Sequence, residues 1–252
     1  MFNSNDFKAY RAHLGFSSQQ NFKVFLSTKD ISPAIDFSYI ALLNQRLADI
    51  FTRLNSIYYK PCNIDEFLQT HLFGVFETIK DNAILHKLTN QGRRKEEVYF
   101  SWMRGYLVCE YFKAAIADIF DTPPKHIHNI GEDIYTSAES FRRTPRADLQ
   151  IGDLRLEVQS GFQGVNDIKE HKVREAKALF KSEGAKTLVL HVDLFNGQGA
   201  LIDISDIPDD DLNWITRQQM EGQSVLNIEQ NHFKWLLSNP PTALKEEIAS
   251  QK

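Results

Sequence analysis

The chain has 252 residues, 42% of them hydrophobic, a formal net charge of −4 and a pI near 6.1. That is enough apolar content for a large buried core, and it excludes a polycation, so any nucleic-acid partner has to be met by a local basic surface. No run of about 18 apolar residues occurs and no cationic leader opens "MFNSNDFKAY", so neither a membrane span nor secretion is expected.

Residues 1–90 read as a helical region. "NDFKAYRAHLGFSSQQNFKVFL" carries two short helical patterns around a Gly-containing turn, which fits either a helix-turn-helix or a plain helical hairpin. "FSYIALLNQRLADIFTRLNSIYY" and "IDEFLQTHLFGVFETIKDNAILHKL" show apolar helical periodicity. The two cysteines, Cys62 and Cys109, have no metal-ligand spacing, and a reducing cytoplasm suits them best.

A polar break, "TNQGRRKEE", then leads into "VYFSWMRGYLVCEYFKAAIADIF", apolar on nearly every face and so predicted to be a buried helix. Within it, Arg104 and Glu110 need partners, and Lys113 lies one turn from Glu110. Pro123 and Pro124 end the helix. A strand near "HIHNI", a polar loop through "SFRRTP", a hairpin, a helix over 166–182 and a strand at "KTLVLHVD" complete residues 91–206. The tail, 207–252, reads as helical or loop-rich packing.

The hairpin is "RADLQIGDLRLEVQSG". Gly152 and Asp153 suit a two-residue turn, which sets Ile151 opposite Leu154, Gln150 opposite Arg155 and Asp148 opposite Glu157. Alternation sends Ala147, Leu149, Ile151, Leu154, Leu156 and Val158 to one face, and Asp148, Gln150, Arg155, Glu157 and Gln159 to the other. Two carboxylates roughly 5 Å apart at Cβ repel unless a cation lies between them, and Mg²⁺ binds through one or two such groups. The plain alternative is a solvated charged face screened by Arg146 and Arg155. No HExxH pattern or Gly-rich phosphate loop occurs, so neither a zinc protease nor ATP-driven chemistry is indicated.

A carboxylate, a short hairpin and "EVQ", inside the order helix, strand, strand, strand, helix, strand, resembles the PD-(D/E)xK nuclease superfamily over residues 93–195, and type II restriction endonucleases in particular. The resemblance implies an α/β (α+β) restriction-endonuclease-like core with a mixed central sheet flanked by helices. It also implies sequence-specific cleavage of double-stranded DNA by a homodimer using Mg²⁺, with Mn²⁺ able to substitute. The metal carboxylates map onto Asp148 and Glu157, and the motif lysine onto Gln159. As a neutral amide, Gln159 can orient water but brings no charge. Lys169 and Lys172, on the expected inner arc of the following helix, are candidates to replace that cation, and Glu110 is a candidate further acidic group from the preceding helix. Phosphate contacts are expected from "GRRKEE" and "FRRTPR", that is Arg93, Arg94, Arg142, Arg143 and Arg146, and from Lys169 and Lys172. Two rival readings stand beside restriction: a related nuclease without a palindromic site, and a DNA-binding module that has lost catalysis.

Overall fold

The structure is a computed structural model. It describes residues 4–26, 34–88, 93–131, 135–137, 141, 146–208, 214–217 and 223–250. The helical patterns of the first 90 residues form α1 (Ser4–His13), α2 (Gln19–Leu26), α3 (Phe37–Ile57), α4 (Ile64–Phe67) and α5 (Val75–Asp81). A π-helical stretch, Leu68–Gly74, joins the last two. Asp36 caps α3 by accepting from the Tyr39 N–H at 2.9 Å. Ile40, Leu43, Leu47 and Phe51 then recur at helical spacing on its buried face.

The apolar helix is divided into α6 (Lys95–Tyr111) and α7 (Lys113–Ile119), with the break at Phe112. Next come β1 (Ile127–Asn129), β2 (Leu149–Ile151), β3 (Leu154–Gly161), β4 (Asp167–Lys169), α8 (Glu170–Glu183), β5 (Thr187–Asp193) and β6 (Gln198–Asp203). The tail holds β7 (Trp214–Arg217), β8 (Gln223–Asn227), β9 (Phe233–Leu236) and α9 (Thr242–Ser250).

A six-stranded mixed sheet, in the order β1-β2-β3-β5-β6-β9, organises the molecule. Its neighbours are antiparallel except β3 and β5, which run parallel and are joined across α8. Leu149, Leu156, Val158, Leu188, Leu190 and Val192 face a core that is continuous with α3, α5, α6, α7 and α9. On the opposite face, Val189, Ala200 and Ile202 meet Val173 and Ala176 of α8, with Leu226 of β8 in the same cluster. Helices therefore cover both sides of the sheet. No helix among the described residues is long and apolar enough to cross a membrane.

Two expectations need correction. The helix expected from residue 166 begins at Glu170, because Asp167–Lys169 pair with Val225–Asn227 as a strand and bury Ile168. The tail is mainly strand before α9: β9 adds to the edge of the large sheet, while β7 and β8 build a three-stranded sheet with β4. Phe233 to Leu236 alternate between inward and outward positions, the period of a strand.

Candidate active site

The β2–β3 hairpin has the predicted register, Leu149↔Leu156, Gln150↔Arg155 and Ile151↔Leu154, around a turn in which Gly152 adopts φ +58°. Asp148 lies one residue before β2. Its Oδ2 accepts from the Val158 N–H at 2.8 Å, and its backbone carbonyl accepts from the N–H of Ile130 at 2.9 Å. The carboxylate is thus fixed across the open end of the hairpin. Glu157, in mid-strand, is only 7% exposed. The face that alternation marks as polar is not a solvated surface here, because α8 covers it.

Asp148 and Glu157 both line one cleft of about 440 Å³, walled by α6, the end of β1 and the hairpin. Trp102 and Tyr106, four residues apart on α6, stack with ring centroids 5.4 Å apart and planes 8° apart, and Tyr135 meets both rings edge-on. Glu110 lines the same cleft, and both its oxygens accept from Lys113, at 2.6 and 2.8 Å. Cys109 is buried beneath; desolvation raises its thiol pKa, and the nearby Asp148 carboxylate adds to the shift.

Of the two helix lysines, Lys172 reaches inward and its Nζ donates to Glu157 Oε1. Lys169 is exposed, at the strand end that precedes α8. Gln159 lies two residues beyond Glu157, with its Nε2 donating to the Asp167 carbonyl at 2.8 Å, and it lines a separate pocket. The structure therefore brings Lys172, rather than Gln159, onto the buried carboxylate.

The basic residues flanking the cleft have local partners. Arg94 pairs with the buried Glu96 at 3.2 Å and lies over the Tyr39 ring, while Arg93 donates to the Glu97 carbonyl and to Ser101 Oγ. Arg146 is exposed just ahead of Asp148. Arg142 and Arg143 lie outside the described residues. Arg104 stacks 4.0 Å over Phe162, and burial, reinforced by Arg93, lowers its pKa to about 10.

Sequence reasoning passed over one polar cluster. His191 and Asp193 interrupt the aliphatic run of β5 on the same face as Val189, next to Asn166. Burial alone would raise the pKa of Asp193, but donors from Asn196, Asn166, Gln198 and the Phe195 N–H outweigh it and hold the carboxyl below its usual range. The available signal was two polar residues inside an otherwise aliphatic strand.

Among the described residues, no three His, Cys, Asp or Glu side chains gather closely enough to hold a metal ion. Three acidic residues among those described line the cleft, Asp148, Glu157 and the Lys113-paired Glu110, and one or two carboxylates of such a set suit Mg²⁺, which retains several waters. The chain matches no known protein family, no characterised protein and no solved structure.

Proposed function

We propose that the cleft between α6 and the hairpin hydrolyses phosphodiester bonds of double-stranded DNA, and that the chain is a sequence-specific endonuclease of the restriction type acting as a homodimer. One observation carries the reading: Asp148, just ahead of β2, and Glu157 of β3 both line one cleft, and a lysine from the crossover helix contacts the buried Glu157 carboxylate. The element order α6, β1, β2, β3, α8, β5 supports it, with the short β4 as an insertion.

Asp148 and Glu157 would hold Mg²⁺, which when bound polarises the phosphate and lowers the pKa of water. The remaining work falls to the chain. Val158 N–H fixes Asp148, and Lys172 balances Glu157 and offers a cation for the extra charge on the attacked phosphate. Trp102 and Tyr106 wall the cleft and restrict water. Water adds to phosphorus, the bond to the 3′ oxygen breaks, and that oxygen leaves with a proton as a 3′-hydroxyl opposite a 5′-phosphate. A palindromic duplex is met by two copies, one site per strand.

The lysine pairing of Glu157 and Glu110 favours a second reading, a DNA-binding module without catalysis. Plasmid DNA incubated with the protein and Mg²⁺ separates the two. Discrete fragments are expected from the wild type. Asp148→Ala and Glu157→Ala should abolish cutting while binding persists, since removing negative charge from a phosphate-facing surface removes repulsion. DNA that is bound but uncut in both Mg²⁺ and Mn²⁺ establishes the second reading, and wild-type cutting by either variant moves the site elsewhere.

A further inference from the structure

Two charges of the apolar helix α6 need partners, and only one has found an ion pair. Glu110 is answered by Lys113, whereas Arg104 has no hydrogen-bond or ion-pair partner among the described residues. Its guanidinium lies 4.0 Å from the centre of the Phe162 ring, a cation–π contact that holds the group in place. Nε is enclosed with no partner, but the two Nη groups, equally unpartnered, are not enclosed, so the outer edge of the fork meets solvent. The nearest charge is of the same sign. Arg93 folds along the start of α6, its Nη2 donating to Ser101 Oγ at 2.8 Å. Burial and then Arg93 lower the Arg104 pKa to about 10, with no carboxylate offsetting them. Glu97 lies 3.9 Å from Arg93 Nε and answers that residue, a full seven positions ahead of Arg104.

A partly buried cation set beside another cation, with free hydrogens at its solvent edge, is unfavourable until an anion answers it. We propose that Arg104 is the seat of a nucleic-acid backbone phosphate, which its two Nη groups receive while Phe162 fixes the guanidinium and Arg93 adds positive field. A phosphodiester presents two unesterified oxygens, and a planar fork of parallel N–H donors matches them as a lysine cannot. The place is consistent with this ligand. Ser101 and Gly105, three residues before Arg104 and one after it, line the 440 Å³ cleft, while Phe162, 47% exposed, lines a neighbouring pocket of about 210 Å³. Glu110, in the same cleft as Asp148 and Glu157, follows Arg104 by six residues. That is about 9 Å of helix rise, or two to three nucleotide steps of about 3.4 Å along one strand. The phosphate held is therefore a neighbour of the scissile one, and the contact sets the register of the strand without reading its sequence.

The seat rests on the nuclease reading for the identity of its ligand, but it can be tested apart from cutting. Binding of a short DNA duplex to the full chain is measured in EDTA at several salt concentrations. Arg104→Met should weaken binding about tenfold at low salt and reduce the slope of log affinity against log salt by about 0.9, the value of one phosphate contact. Arg104→Lys, which keeps the charge, should restore most of the slope. Without DNA, Arg104→Met should melt no lower than the wild type, because no ion pair is lost and the methionine still covers Phe162. In the ¹⁵N-labelled wild type, the Arg104 side-chain resonances should move on saturation with the duplex, a readout independent of how any variant folds. An unchanged salt slope in Arg104→Met, static Arg104 resonances, or a fall in melting temperature without a change in slope overturns the seat and leaves Arg104 a packing residue. Plasmid cutting in Mg²⁺ together with a wild-type slope in Arg104→Met removes the seat and leaves the nuclease. An Arg104-dependent slope in a protein that never cuts DNA keeps the seat and removes the nuclease.

Discussion

Glu157 and Lys172 carry the most consequence at the scale of single residues. A carboxylate with 9% of its side chain exposed needs a counter-charge, and the ammonium of Lys172, itself 21% exposed, supplies it. Removing only the lysine leaves the buried charge uncompensated. Lys172→Met should therefore lower stability by about 2 kcal/mol, below the full cost of breaking a sealed pair because water still reaches the lysine. The same substitution makes Glu157 a better cation ligand. Mg²⁺ should then raise the melting temperature of Lys172→Met more than that of the wild type, and should not raise that of an Asp148→Ala, Glu157→Ala double variant. Thermal melts with and without Mg²⁺ check both statements; an equal response in all three proteins places the ion away from the cleft. Single-turnover cleavage by Lys172→Met should fall roughly 10²-fold if the ammonium also meets the scissile phosphate.

At the scale of elements, what could be read from sequence was what is encoded locally. The Gly-Asp turn and the two-residue alternation fixed the hairpin register and put Glu157 and Gln159 on one face, because turn geometry and pleat are short-range properties. The cover over that face was not legible, since it depends on how α8 returns across the sheet. The small sheet was hidden for a similar reason: β4 pairs with β8 some sixty residues later, Asp167 against Asn227, and strands of three to five residues leave too little periodicity to detect. Asp167 ties this sheet together, accepting from Arg217 Nε and Nη2 at 2.8 and 2.9 Å and from Asn227 Nδ2 at 2.9 Å. Burial alone would raise the Asp167 pKa, yet these donors hold it below its usual range. Arg217→Met should speed amide exchange about tenfold in β4, β7 and β8 and leave the six-stranded sheet unchanged, because local opening follows local contacts. Uniform acceleration in both sheets would show that they open as one unit.

Taken as a whole molecule, the protein buries polar chemistry on one side of a sheet whose other side is almost purely apolar. That asymmetry makes its stability depend on pH, through His191 above all. Burial lowers the His191 pKa from the ordinary 6.5 to about 4, although Asp193 and Asp167 pull it upward. A histidine held neutral in the folded state contributes stability that is fully present above pH 6.5. As pH falls from there towards 4, the unfolded chain takes up the proton first, so that contribution is lost progressively and totals about 3 kcal/mol. Below pH 4 the folded protein also binds the proton and this loss stops. The depressed carboxyls of Asp167 and Asp193 act at lower pH, where their own titration begins. Urea denaturation at steps between pH 7 and pH 4 should therefore show stability falling steadily, with a slope close to one proton from His191. His71 and His171, also lowered by burial and in the second case by Lys169 and Lys172, add to the slope with the same sign. His191→Gln should flatten the curve by that one proton and retain the remainder. An unchanged slope in His191→Gln would mean that the imidazole, whose Nε2–H donates to Asn166 Oδ1, takes up its second proton as readily in the folded protein as in the unfolded chain, against the burial that lowers its pKa.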